Sequence, residues 1–155
     1  MFRFFLVLHI LGAVIALGFS ISYGIWTALA DAAGPSERAF ALRSISWIDR
    51  RLTTPAYIAQ AITGVVLVAL IDWSVLKQSW LEISIGLYVL LVVLAMTRFA
   101  PLHRRQTALA ERLATGDAVE ADYRATAASA LRWGVAVTLL TLAIVILMVT
   151  RPMWW

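Results

Sequence analysis

Four long apolar stretches constrain this chain more than any other feature. They cover residues 4–30, 55–71, 80–97 and 133–150, approximately. A membrane-spanning helix needs about 20 consecutive apolar residues, and a helix satisfies its own backbone polar groups inside a bilayer. Only 14% of the 155 residues are charged, whereas a soluble domain has roughly 25%. The sequence therefore predicts an all-α protein, an integral membrane four-helix bundle with one domain over residues 1–155.

The first stretch is predicted to be a span rather than a secretory signal. The apolar region of a signal peptide covers about 7–15 residues and precedes a small-residue cleavage site. The first stretch is longer than that and has no convincing cleavage site before its polar end.

Basic residues are distributed unevenly around the predicted spans. The connections after spans one and three hold ten of the 13 lysines and arginines. The positive-inside rule therefore predicts that both long connections are cytoplasmic and both termini are outside. The ten are Arg38, Arg43, Arg50, Arg51, Arg98, Arg104, Arg105, Arg112, Arg124 and Arg132.

The isoelectric point near 10.1 raises the question of a nucleic-acid partner. The arginines lie beside the spans, which favours anionic lipid headgroups and topology selection instead. We predict headgroup contacts for Arg50, Arg51, Arg104 and Arg105, with the lipid bilayer as the partner and no nucleic acid.

The first long connection is predicted to contain an amphipathic helix on the membrane interface. Gly34 and Pro35 interrupt the first helix, and a helical apolar pattern resumes at Ser36. The segment "RRLTTP" is then predicted to be a hinge, where Thr54 caps the next helix and Pro55 takes its first position.

The second long connection is predicted to form a helical extension in the cytoplasm. Pro101 should kink or interrupt the helix that follows span three. Asp117 and Glu120 match a capping box, so a long helix is predicted to begin at about Ala118 and to continue into span four.

The polar residues inside the spans are the candidates for function. His9 shares one face of span one with the small residues Gly12, Ala13 and Ala16. Two interpretations are open: small residues allow close helix packing, or they leave a slot for a flat cofactor with His9 as its axial ligand. Met148, at a comparable depth in span four, is a candidate second ligand.

Span two carries Gln60 and Thr63, for which two roles also remain open. They could form interhelical hydrogen bonds, or they could hold a propionate, a quinone or a polar substrate. His103 follows Pro101 at the opposite membrane face from His9 and is predicted to be an exposed headgroup contact. The chain has no cysteine, which excludes disulfides and thiolate metal sites.

Three segments resemble one group of small bacterial membrane proteins. The group includes the copper-resistance D type, the HemJ-type protoporphyrinogen oxidases and an uncharacterised family of predicted integral membrane proteins. The segments are "FLVLHILGAVIALG", "IDRRLTTPAYIAQAITGVVL" and "LMVTRP". The resemblance covers nearly the whole chain and implies location in the bacterial inner membrane. It also implies a haem b site in which the span-one histidine, His9, is an axial ligand.

Two departures from the HemJ-type enzymes bear on activity. Arg151 and Pro152 stand where those enzymes have Lys-Pro, and arginine offers no lone pair to iron. The Asn-Glu pair that those enzymes carry before span four is also missing. The uncharacterised family is therefore the better match.

We accordingly predict a small inner-membrane haem b protein for electron transfer or haem handling. Its predicted cofactor-binding residues are His9, Gly12, Ala13, Ala16, Gln60 and Met148. A homo-oligomer or a membrane redox partner is a further expectation. The alternative is a non-catalytic membrane accessory protein, or a lipid- or small-molecule-binding module without a cofactor.

Overall fold

A computed structural model of the chain describes residues 1–151, and Pro152 of the closing motif lies outside them. Six α-helices account for most of the described chain. Four continuous helical rods are long and apolar enough to cross a membrane, which confirms the predicted all-α four-helix membrane bundle. The helices are α1 (Phe2–Ala33), α2 (Pro35–Ile48), α3 (Thr54–Ile71), α4 (Ser79–Leu94), α5 (Ala100–Ala114) and α6 (Glu120–Thr150).

Two of the four rods are each built from two α-helices. Pro35–Ile71 is one rod of 37 residues and Ser79–Ala114 is another of 36 residues. At 1.5 Å per residue each is about 55 Å long, whereas the hydrocarbon layer is about 30 Å thick. The part of each rod that exceeds the hydrocarbon thickness is formed by α2 or α5, and this confirms the predicted helical extension. We call this side, formed by α2, α5 and the first turns of α6, the arginine-rich end.

A π-helical turn precedes the proline inside each long rod. Asp49–Thr53 lies just before Pro55, and Ala95–Phe99 lies just before Pro101. A proline within a helix lacks an N–H group and its ring clashes with the carbonyl four residues earlier. That carbonyl falls within the π turn in both rods, so the wider turn accommodates the proline without ending the helix.

Three predictions about these junctions were wrong. The backbone stays right-handed helical through "RRLTTP", so the helix does not turn there, and Thr54 is inside the rod rather than at an N-cap. The interruption predicted at Pro101 is present as the π turn Ala95–Phe99, after which the helix continues. The capping box is not formed, because α6 begins at Glu120 after Val119 with no side-chain cap.

The spanning helices are arranged as two close pairs. α1 packs along α3, α4 packs along α6, and α1 also contacts α6. Within residues 1–151, α3 and α4 have no Cα atoms within 8 Å of each other, although they are consecutive spans. A cleft therefore separates the two pairs on the side where α3 faces α4.

The arginine-rich end is held together by a small apolar core and an ionic hub. The core comprises Ala39, Leu42, Ala110 and Tyr123 from α2, α5 and α6. Beside it, Arg38 Nη1 donates to both carboxylate oxygens of Glu120 at 2.8 and 2.9 Å. Arg38 Nη2 donates to the Asp31 carbonyl oxygen at 3.1 Å. Because these partners belong to α1, α2 and α6, the hub ties three helices together.

Candidate functional site

His9 is held in one orientation by α3. Its Nδ1 lies 2.8 Å from Thr63 Oγ1, and the Thr63 hydroxyl donates its single proton to the Ala59 carbonyl at 2.6 Å. Thr63 therefore accepts from His9 Nδ1–H, and in the neutral imidazole the lone pair is then on Nε2. A histidine that ligates a metal commonly donates its other ring N–H to an oxygen in this way.

The small residues beside His9 are packed rather than open. A Cβ atom on Gly12 would lie 3.0 Å from Gln60 Nε2, and the same Nε2 donates to the His9 carbonyl oxygen. Gly12 and Ala16 are buried in the described chain. The imidazole donor thus fits a haem iron, but the space predicted beside Gly12 is filled by Gln60, and Ala16 is buried.

The other two predicted cofactor residues are less enclosed. Ala13 and Met148 are both partly exposed, on α1 and α6 respectively. The structure thus joins His9, Gly12 and Gln60 in one interhelical contact, while the roles of Ala13 and Met148 remain predictions.

A large cavity, which sequence reasoning missed, occupies the cleft between the two helix pairs. Its volume is about 1650 Å³, larger than the roughly 300–1,000 Å³ of common small-molecule pockets. Its walls are mainly apolar and include Ile58, Leu91, Val92 and Leu139. The cavity extends from the middle of the spans to the arginine-rich end, so it combines an apolar wall with a charged mouth.

Hydroxyl groups cross the cavity at mid-span. Tyr57 Oη lies 3.0 Å from Thr141 Oγ1 and 3.3 Å from Ser20 Oγ. Thr141 and Ser20 each donate to a carbonyl of their own helix, so Tyr57 donates its single proton to Thr141, the nearer of the two hydroxyls. Tyr88 Oη donates to the Tyr57 carbonyl oxygen at 2.6 Å and bridges α4 to α3. With their protons used, Tyr57 and Tyr88 present acceptor lone pairs.

A second polar group lines the cavity nearer its mouth. His103 Nε2 lies 3.1 Å from Ser46 Oγ, and Ser46 donates to the Leu42 carbonyl at 2.8 Å. His103 therefore donates from Nε2 and keeps its lone pair on Nδ1. The prediction that His103 is an exposed headgroup contact was wrong, because its ring stacks on Phe99 and lines the cavity.

The adjacent arginine pairs predicted to contact headgroups, 50–51 and 104–105, each have one member at the cavity mouth and one outside it. Arg50 and Arg104 line the cavity, whereas Arg51 and Arg105 do not. Arg51 instead lies over the Trp47 ring, 6.0 Å from its centroid. One exposed member of each pair therefore lies at the cavity mouth, which was not apparent from the adjacent positions in the sequence.

These features define a four-helix membrane protein with an interhelical cavity. The chain belongs to a family described as predicted integral membrane protein (DUF2269), whose family model matches residues 4–152. No curated protein and no solved structure matches the chain.

Proposed function

We propose that this protein binds a small amphiphilic molecule within the membrane, in the cleft between the helix pairs α1–α3 and α4–α6. The observation that carries the proposal is the cavity of about 1650 Å³. Ligand pockets are typically apolar with a few placed polar groups, and this cavity has that character. Its mid-span acceptors and charged mouth suit a molecule with an apolar body and a polar head.

The absence of close packing between α3 and α4 supports the proposal further. Membrane helices associate through van der Waals packing and interhelical hydrogen bonds. Within the described chain, α3 is joined to α4 and α6 by long tyrosine side chains rather than by close backbone approach. A ligand in the cleft would supply the packing contacts that the helices do not make with each other.

Filling the cavity from one wall tests the proposal. Val92 lines the cavity, whereas the adjacent Val93 does not and is 50% exposed. We expect Val92→Trp to abolish binding of oleyl alcohol, measured by native mass spectrometry in detergent, and Val93→Trp to leave it unchanged. Both variants should elute as single species. Equal binding by wild type and folded Val92→Trp would contradict the proposal.

Haem b is a second candidate ligand, and the orientation of His9 favours it. The Nδ1–H···Thr63 hydrogen bond leaves Nε2 as the free lone pair. The space beside Gly12 is filled by Gln60 and is closed to a porphyrin. When bound, haem supplies one-electron redox chemistry, which would suit electron transfer or haem handling with a membrane redox partner or a second protomer.

An absorption spectrum tests the haem candidate. We expect wild-type protein from haem-supplemented expression to show a Soret band that shifts on reduction with dithionite. His9→Ala should lose the band while retaining its elution profile. A colourless wild-type protein would contradict haem binding and leave the amphiphile proposal intact.

We also propose that the arginine-rich end is cytoplasmic and that the protein resides in the bacterial inner membrane. Ten of the 13 basic residues lie in the connections at that end. Since the chain has no cysteine, single-cysteine variants give a clean test. A membrane-impermeant maleimide should label Ser74→Cys in intact spheroplasts, and Asp117→Cys only after lysis. The reverse pattern would contradict this orientation.

A further inference from the structure

We infer that the cavity selects amphiphiles with an anionic head, recognised by Arg50 and Arg104 at its mouth. The inference rests on the proposed function, because it assigns the chemical class of the ligand in the same cavity. Each of the two arginines is next to another arginine that does not line the cavity. Guanidinium groups are well suited to carboxylate and phosphate heads because they offer several N–H donors in a planar fork.

Neither arginine is committed to an ion pair. Within residues 1–151, no carboxylate oxygen lies within 4.0 Å of Arg50 or Arg104. Arg50 Nε donates to the Ser46 carbonyl at 3.2 Å, which orients the side chain and leaves its terminal N–H groups for another acceptor. The arginines Arg38 and Arg124, by contrast, are engaged with Glu120.

The other charged groups at the mouth leave an excess of positive charge. Arg43 is 4.0 Å from Glu111, a distant pair that neutralises both. Asp49 also lines the cavity and offsets one of the two free arginines, and its carboxylate accepts from Thr54 at 3.4 Å. One net positive charge therefore remains near the polar end of an apolar cavity, where a bound anion would be partly shielded from water.

The other polar groups lining the mouth are compatible with an anionic head. His103 donates a hydrogen bond to Ser46. Tyr23 Oη lies 2.6 Å from Thr53 Oγ1, so these four groups are hydrogen-bonded in two pairs. A ligand head would consequently find its strongest unoccupied donors on Arg50 and Arg104. The apolar part of the ligand would lie along Ile58 and Val92, deeper between the spans.

The test compares oleate with oleyl alcohol, which has the same chain and a neutral head. Affinities are measured by native mass spectrometry above the pKa of the oleate carboxyl group. We expect wild type to bind oleate about tenfold more tightly than oleyl alcohol, as one additional charge-assisted hydrogen bond would give. The double variant Arg50→Gln/Arg104→Gln should bind oleate only as tightly as oleyl alcohol, with alcohol binding unchanged.

The matched control is Arg51→Gln/Arg105→Gln, which removes the same charge from the same two segments but outside the cavity. It should retain the tenfold preference. An equal loss in the control would overturn the assignment to Arg50 and Arg104, since general surface charge would then explain the selectivity. Equal wild-type affinities for both probes would overturn the inference while leaving amphiphile binding intact, and binding of neither probe would instead contradict the proposed function.

The natural anionic head could be a carboxylate or a phosphate. Oleoyl lysophosphatidate, which carries an oleoyl chain on a glycerol phosphate head, separates these two sources. Tighter binding of lysophosphatidate would assign a phosphate head, and tighter binding of oleate a carboxylate. In either case the double glutamine variant should remove the preference over oleyl alcohol.

Discussion

Replacing Arg38 should destabilise the protein far more than replacing Arg124, although both arginines bind the same carboxylate oxygen of Glu120. Arg38 reaches Glu120 Oε1 at 2.8 Å with an 11% exposed side chain, and Arg124 reaches it at 2.9 Å with a 74% exposed side chain. Arg38 also lies over the Tyr123 ring, 5.0 Å from its centroid. Its Nε is 3.1 Å from Asp31 Oδ1, at an angle that makes an ion-pair contact rather than a hydrogen bond.

The size of the effect follows from what each variant leaves behind. Removing one partner of a buried ion pair costs about 3–5 kcal/mol. The Asp31 and Glu120 side chains are 39% and 38% exposed, so water can rehydrate them, and we expect the lower limit, about 3 kcal/mol. The Arg124–Glu120 pair is an exposed i,i+4 pair, which is worth about 0.3–0.5 kcal/mol.

The variants Arg38→Met and Arg124→Met keep an apolar stem, so the comparison isolates the charged group. For a chain of this size about 1 kcal/mol shifts the melting temperature by roughly 2–4 °C, which gives about 6–12 °C for Arg38→Met. Thermal unfolding in detergent, followed by circular dichroism, measures both. Equal shifts in the two variants would show that the hub does not hold α1, α2 and α6 together.

Three further outcomes can be measured on the same protein. Gly18→Ala should be more stable than Gly12→Ala by about 0.5–1 kcal/mol in detergent unfolding. Alanine is the better helix former at both positions, but the gain is lost at position 12, where the Cβ atom would meet another side chain at 3.0 Å. Equal stabilities would contradict this packing. If haem binds, Thr63→Val should weaken it about 10–100-fold in a haem titration, as loss of a hydrogen bond to a metal-bound histidine does, and unchanged affinity would show that the bond to His9 has no role. Asp72 accepts a hydrogen bond from the backbone amide two residues on, which holds the pKa of its carboxyl group below the usual range. The stability that this group contributes is present above its unfolded pKa and is lost as the pH falls through its folded pKa, so below about pH 4 the melting temperature of Asp72→Asn should fall less than that of wild type. Parallel curves for the two proteins would contradict this linkage.

The four spans and the helical extension could be predicted because they depend on local composition. A long apolar run fixes a span by itself, and both ends of α1 and the C-terminal end of α6 follow the apolar stretches closely. The junctions at Pro55 and Pro101 could not be predicted in the same way. Proline usually ends or kinks a helix, and whether a π turn accommodates it depends on the packing of the entire rod.

The contacts of His9 were only partly accessible from the sequence. Gln60 and Thr63 were recognised as polar residues inside a span, and both are now seen to bond to His9. The alternative in which small residues serve close packing accounts for Gly12, since its space is taken by Gln60. Which helix provides the partners was not encoded in any local pattern.

The cavity was missed because it results from helix pairing. Consecutive helices usually lie side by side, but α3 packs on α1 and leaves α4 at a distance. The available signal was the set of hydroxyl side chains inside the spans, Tyr57, Tyr88 and Thr141, whose hydrogen bonds link α3 to α4 and α6 beside the cavity. His103 was misplaced for the same reason, because its partner Ser46 is on a helix that the sequence does not connect to it.

Photo-crosslinking with a diazirine-bearing fatty alcohol tests the central claim, that a ligand occupies the cleft, most directly. Val92 lines the cavity and is partly exposed, whereas the adjacent Val93 is 50% exposed and lies outside it. Peptide mass spectrometry should find adducts on Val92 and on Ile58 across the cleft, and an excess of unlabelled oleyl alcohol should remove them. Adducts confined to Val93 and other outward-facing positions, unaffected by competitor, would contradict the account.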